Sequence, residues 1–112
     1  MSGTDSLKSM KCVPCEGGEK PLTQAEIESY LPRVPGWTVT EGPRLTRRFR
    51  FRAFTDAMEF VNRMADVAEE QGHHPDFFVS WNEVRVELWT HATGGLHQND
   101  FILAAKIAAL AD

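Results

Sequence analysis

The sequence predicts an α+β domain: a four-stranded antiparallel sheet with helices packed on one face, in the order α-β-β-α-β-β-α. Three observations carry this expectation. Apolar residues recur at helical spacing in three segments, four other segments read as strands, and the strands fall into two pairs. Their connections are far shorter than the dozen or more residues a parallel crossover needs, so each pair is a hairpin. The long helix between the hairpins then covers the sheet.

Residues 1–20 read as a polar N-terminal arm, with Gly17 and Gly18 and no apolar period, and residues 21–112 as the domain proper. The first helix is signalled by "PLTQAEIESYL". Thr23 followed by Glu26 makes a capping box, Ile27, Tyr30 and Leu31 form the apolar stripe, and Pro32 ends it. "GWTVTE" is a short strand, and Gly42 and Pro43 turn the chain into "RLTRRFRF". There Arg48, Arg50 and Arg52 alternate with Phe49 and Phe51, giving an apolar inner and a basic outer face.

"TDAMEFVNRMADVAEEQG" is the clearest helix. Thr55 and Asp56 suit its N-terminus, Met58, Val61, Ala65 and Ala68 recur at helical spacing, and Phe60, Met64 and Val67 widen the stripe. Gly72 is placed to end it. "DFFVSW" and "EVRVELWTH" form the second hairpin across Asn82, with Val84, Val86 and Leu88 on one face and Arg85, Glu87, Trp89 and His91 on the other. The last helix starts near His97. It is apolar over most of its circumference, from Phe101 to Leu110, which predicts burial of part of it against another subunit.

At 112 residues the chain makes one domain with one core. No apolar run approaches the roughly 20 residues of a membrane span, and the N-terminus lacks the apolar core of a secretory signal, so the expected location is the cytoplasm. A formal charge of −4 argues against nucleic acid as a partner.

The chemistry concentrates in "EEQGHHPDFFVSW". His73 and His74 sit between a helix-ending glycine and Pro75. The second hairpin returns His91 to the same end of the sheet. Glu69 lies one turn before His73, and Asp100 falls in the first turn of the last helix, where its charge suits the dipole. Three imidazoles and two carboxylates therefore converge from three elements. Histidine titrates near neutrality, so such a cluster can donate and accept protons. Taken alone, an adjacent histidine pair also fits half of a metal site or an ordinary polar loop.

The spacing Glu69-x3-His73-His74-Pro75-x5-Trp81-x9-His91-x8-Asp100 resembles the signature of the pterin-4a-carbinolamine dehydratases. The resemblance runs from "KCVPCEGG" through "VPGW", "FVNR" and "QGHHPD" to "LWTHATGGLHQNDFILAAKI", and is closest to a bacterial branch. It implies dehydration of the 4a-hydroxytetrahydropterin released by aromatic amino acid hydroxylases, with no cofactor and no metal. It implies His73 and His91 as the proton-transfer pair, His74 as a substrate-holding residue sharing the work, and Glu69 and Asp100 as orienting groups. Phe77, Trp89 and Thr90 would bind substrate. Trp81 matches the signature and reads equally as a core or interface aromatic. The expected partners are a pterin, further copies in a homodimer or homotetramer, and an aromatic amino acid hydroxylase, with neither nucleic acid nor membrane. Two positions depart from the animal pattern: Trp89 stands where a small residue is found, and His97 replaces a Ser/Thr helix cap.

Cys12 and Cys15 have the C-x2-C spacing of half a zinc site or a dithiol pair. No second pair of ligands accompanies them, so two reduced thiols in the arm are expected. A binding or assembly role on the same scaffold, and a metal-binding role, are the rival function classes.

Overall fold

The computed structural model describes residues 7–14 and 20–111. Helix α1 (Gln24–Tyr30) runs into a 3₁₀ turn (Leu31–Arg33), followed by β1 (Thr38–Thr40) and β2 (Arg44–Arg50). Helix α2 (Phe54–Gln71) leads to β3 (Asp76–Ser80), β4 (Glu83–Leu88) and α3 (Gln98–Ala111). The four strands form one antiparallel sheet in the order β1-β2-β4-β3. The predicted α+β architecture and element order stand.

Each element follows from local chemistry. Thr23 Oγ1 accepts the Glu26 N–H, and the Glu26 carboxylate accepts the Thr23 N–H, so the capping box forms in both directions. Pro32 does not stop the chain dead but sits in the 3₁₀ turn, where its missing N–H is tolerated. Helix α2 starts without a side-chain cap, from Ala53, so Thr55 and Asp56 serve within its first turn instead. Its buried stripe is Ala57, Phe60, Val61, Met64 and Ala68; Met58 and Val67 lie at its margins and Ala65 outside it.

The α2 terminus positions the first site residues. Gly72 adopts φ 66°, the left-handed conformation that glycine takes without steric cost. Its N–H reaches the Glu69 carbonyl, and the His73 N–H reaches the Ala68 carbonyl, each at 3.3 Å. This is a Schellman motif, which ties the backbone of His73 to the last turn of the helix.

Leu45, Phe49, Val84, Val86 and Leu88 project from the sheet into the core under α2 and α3. Phe49 packs on Trp37 and Phe60, and Tyr30 stacks on Phe101 with ring centroids 4.8 Å apart. Phe101, Ile102, Leu103, Ala104 and Ile107 of α3 are all buried within this one chain. Its own sheet, α1 and α2 thus cover most of the apolar girth of α3, while Ala108 and Leu110 are half-buried and Ala109 and Ala111 exposed. Leu7, also fully buried, belongs to the same core, and residues 7–9 are helical. That part of the arm is a packed element, with Met10 and Cys12 also against the core, whose few apolar anchors show no period.

The opposite face of the sheet is polar, as the alternation predicts. Arg50 and Arg48 approach Glu83 at 3.0 and 3.6 Å, and Arg44 approaches Glu87 at 3.0 Å. The Arg50 hydrogen bond outweighs the opposing effect of desolvation and, with the charges of Arg48 and Arg85, holds the Glu83 carboxyl below its usual range. The basic outer face of β2 is thus answered by acidic residues of β4. Among the described residues no helix is long and apolar enough to cross a membrane.

Candidate functional site

A cavity of about 520 Å³ opens at the end of the sheet where α2 stops, β4 runs out and α3 begins. It falls within the size range of small-molecule sites. His73, His74, Trp89, Thr90 and His91 all line it. The three histidines face one cavity, from two elements.

Strand β4 ends at Leu88, earlier than its alternation suggests, so Trp89, Thr90 and His91 leave the sheet. A tight turn catches them: the Thr90 N–H bonds to the Gly95 carbonyl at 2.9 Å, and Thr90 and Gly95 form an isolated bridge. The Thr90 side chain is buried, and its hydroxyl donates to Asp100 Oδ2 at 2.8 Å.

Asp100 is fully buried. Its Oδ1 lies 2.6 Å from His73 Nε2, and its Oδ2 also accepts the His97 N–H at 2.9 Å. A carboxylate with no proton can only accept, so His73 presents Nε2–H to it and keeps Nδ1 for other partners. Asp100 is the third residue of α3, and its bond back to the His97 N–H is half of a capping box. The His97 side chain caps the next N–H in turn: its Nδ1 accepts the Asn99 N–H at 3.1 Å. His97 is a helix cap in place of Ser or Thr, and not a wall of the cavity.

Glu69 lies 2.6 Å from His74 Nε2, not beside His73. Both side chains of that pair are largely exposed. The Schellman turn swings His73 inward to Asp100, which leaves His74, one residue on, as the neighbour of Glu69.

His91 stacks on Trp89, with ring centroids 3.7 Å apart. Trp89 in turn donates its indole N–H to Asp76 Oδ2 at 3.1 Å and carries the Arg44 guanidinium over its ring. Asp76 lines the cavity and went unnoticed in the sequence, although its place at the start of β3 puts it on the face opposite Phe77. Phe77 itself is a correction. It does not line the histidine cavity but an adjoining apolar hollow of about 240 Å³, with Met64, Ala65, Ala68, Glu69, His74 and Pro75, so His74 and Pro75 stand between the two. Side chains alternate along a strand, so Phe77 faces α2 while Asp76 faces the cavity. Trp81 is exposed in the β3–β4 turn with φ 53°, which removes it from both core and cavity.

Cys12, Val13, Pro14, Gln71 and Asn99 complete the cavity walls and were not foreseen. No local pattern reveals them, because residues 12–14 meet Asn99 across most of the chain. Cys15 lies outside the described residues.

The geometry thus provides two imidazoles with different supports, one bound to a buried carboxylate and one stacked on an indole, around one cavity. Residues 20–110 match the model of the family described as pterin 4 alpha carbinolamine dehydratase. A Halorhodospira halophila protein provisionally named pterin-4-alpha-carbinolamine dehydratase is 47% identical over 94% of this chain and 97% of its own. The mitochondrial pterin-4-alpha-carbinolamine dehydratase 2 of Arabidopsis thaliana is 45% identical, over 93% of this chain and 58% of its own. A transcriptional coactivator/pterin dehydratase from Brucella melitensis superposes with a TM-score of 0.79 at 35% identity, over 83% of this chain and all of that one. A pterin dehydratase-like RuBisCO assembly factor of the α-carboxysome superposes at 0.59 with 29% identity, over 68% of this chain and 89% of that one.

Proposed function

We propose that the chain, which belongs to the pterin 4 alpha carbinolamine dehydratase family, is a working dehydratase that converts 4a-hydroxytetrahydropterin into quinonoid dihydropterin and water. The observation that carries this reading is His73, fixed through Nε2 on the buried carboxylate of Asp100 and sharing one cavity with His91.

The reaction needs two proton movements and no change of oxidation state. A proton reaches the C4a hydroxyl, the C4a–O bond breaks and water leaves; a proton leaves the ring nitrogen as the C=N bond forms. One acid and one base serve: after each turnover the base holds the proton the acid has lost, and passing it back through solvent restores both. His73 and His91 take these parts. Trp89 and Thr90 shape the wall between them, His74 with Glu69 holds the rim, and Asp100 sets the orientation of His73. The substrate would come from an aromatic amino acid hydroxylase in the cytoplasm, whose cofactor the reaction regenerates.

The test is the dehydration rate of chemically generated 4a-hydroxytetrahydropterin. The protein is expected to accelerate it well beyond the spontaneous reaction in the same buffer. A rate equal to the spontaneous one would end the enzymatic reading. A binding or assembly role, as the name of the RuBisCO assembly factor suggests for that relative, would then take its place. The complete Asp100–His73 and Trp89–His91 arrangement favours the enzyme, because shape alone would serve a scaffold.

Self-association is part of the proposal. Strand β3 is a sheet edge, and Phe77 and Phe78 along it and Trp81 in the turn just after it are 41, 52 and 69% exposed. Unpaired strand edges with apolar side chains invite pairing with another strand. The protein is therefore expected to sediment as a dimer or tetramer at micromolar concentration, and Phe78→Lys to shift it toward monomer. A monomeric wild type under those conditions would refute this.

A further inference from the structure

We propose that Cys12, Val13 and Pro14 form the wall that selects among pterins by the ring substituent they carry, with Val13 the specificity-determining residue and Asn99 the residue that positions it. This rests on the dehydratase reading above and deepens it.

The three residues line the same cavity as His73 and His91. Their backbone is held at successive positions. The Cys12 N–H donates to Gln71 Oε1 at 2.8 Å, and the Val13 N–H donates to Asn99 Oδ1 at 2.9 Å. Asn99 Nδ2 donates back to the Val13 carbonyl at 2.6 Å. One amide side chain thus satisfies both the donor and the acceptor of one residue, as a neighbouring strand would. Asn99 is only 2% exposed, and its own N–H is held by His97. Upstream, the buried Leu7 anchors the arm in the core.

This wall shares its frame with the chemistry. Asn99 holds the arm and the next residue, Asp100, holds His73, both from the first turn of α3. A ring clasped by the histidines therefore meets the arm at a set distance. Val13 and Pro14 bring aliphatic surface and no group that could move a proton, so their contribution is shape. Val13 lines the cavity and is 54% exposed, so its side chain is open to contact with a substituent that projects from the ring. An enclosed apolar pocket discriminates by about 10-fold or more per methylene, and a half-exposed wall such as this one by less.

The test uses two carbinolamines, one with a methyl and one with a dihydroxypropyl substituent on the ring, and reads the ratio of their kcat/KM values. Val13→Gly is expected to move the ratio about fivefold or more toward the larger substituent, mainly through KM, and Val13→Trp to move it the other way. Asn99→Ala should follow Val13→Gly, whereas simple loss of folded protein would lower both substrates alike and leave the ratio fixed. A ratio constant within about twofold across the three variants would overturn the proposal. If the wild type accelerates neither substrate, the dehydratase reading fails. The wall is then judged on the dissociation constants of the two corresponding tetrahydropterins, followed by tryptophan fluorescence with Trp89 in the cavity, where an unchanged ratio again overturns it.

Discussion

His73→Ala is expected to lower kcat/KM for dehydration by about 10²–10⁴-fold, the usual worth of a positioned acid or base. The substitution removes the imidazole and also strips Asp100 Oδ1 of its 2.6 Å partner in a fully buried site. That should cost about 1–3 kcal/mol of stability, so rates belong well below the melting temperature, with circular dichroism confirming the fold. His91→Ala should show a comparable loss of rate without the stability cost, because His91 is exposed and its ring rests on Trp89. His74→Ala should lose least, since its bond to Glu69 is an exposed pair of small worth. Full activity in His73→Ala would remove that residue from the proton-transfer pair. Equal losses at all three positions would mean that the pair is in fact a triad.

The fold was legible because its signals are local or periodic. The capping box at Thr23 and Glu26, the glycine at position 72 and the alternation of Val84, Val86 and Leu88 each depend on residues a few positions apart. The meeting of His73, His74 and His91 was legible for a related reason: a short hairpin fixes which ends of two strands lie together. What the sequence could not express was the direction of individual side chains at the ends of elements. A Schellman turn rotates the chain sharply, so Glu69 reached His74 instead of His73. A single position of strand register sent Asp76 to the cavity and Phe77 to the apolar hollow. The apolar girth of α3 carries a different ambiguity. An all-round apolar helix shows that it is covered, but not by which chain, and here its own sheet and neighbouring helices cover Phe101 to Ala105 and Ile107. Residues 12–14 were illegible for want of any local correlate, since their contacts with Asn99 join the two ends of the chain.

Asp100→Asn is expected to separate the two services that Asp100 performs, with a loss of about 10²–10⁴-fold in kcat and a much smaller effect on the fold. The carboxylate accepts from His73 on one oxygen and from the Thr90 hydroxyl and the His97 N–H on the other. An asparagine of the same shape has only one oxygen to offer. If that oxygen faced His73, the amide NH₂ would point at the His97 N–H, two donors in contact at a helix terminus. The opposite placement is the better one: oxygen toward Thr90 and His97, NH₂ toward His73. The helix cap then survives, but His73 Nε2 must accept where it previously donated, and its proton moves to Nδ1. The atom that faces chemistry is thereby in the wrong state at the start of each turnover. A melting temperature near that of wild type, together with a kcat reduced at least 100-fold, would support this account. A kcat within about threefold of wild type would show that the hydrogen bond to Asp100 holds His73 in place without governing its proton. Asp100→Ala, which abandons the cap and the hydroxyl as well, should destabilise by about 2–4 kcal/mol, and only the asparagine variant keeps the structural and the chemical consequences apart.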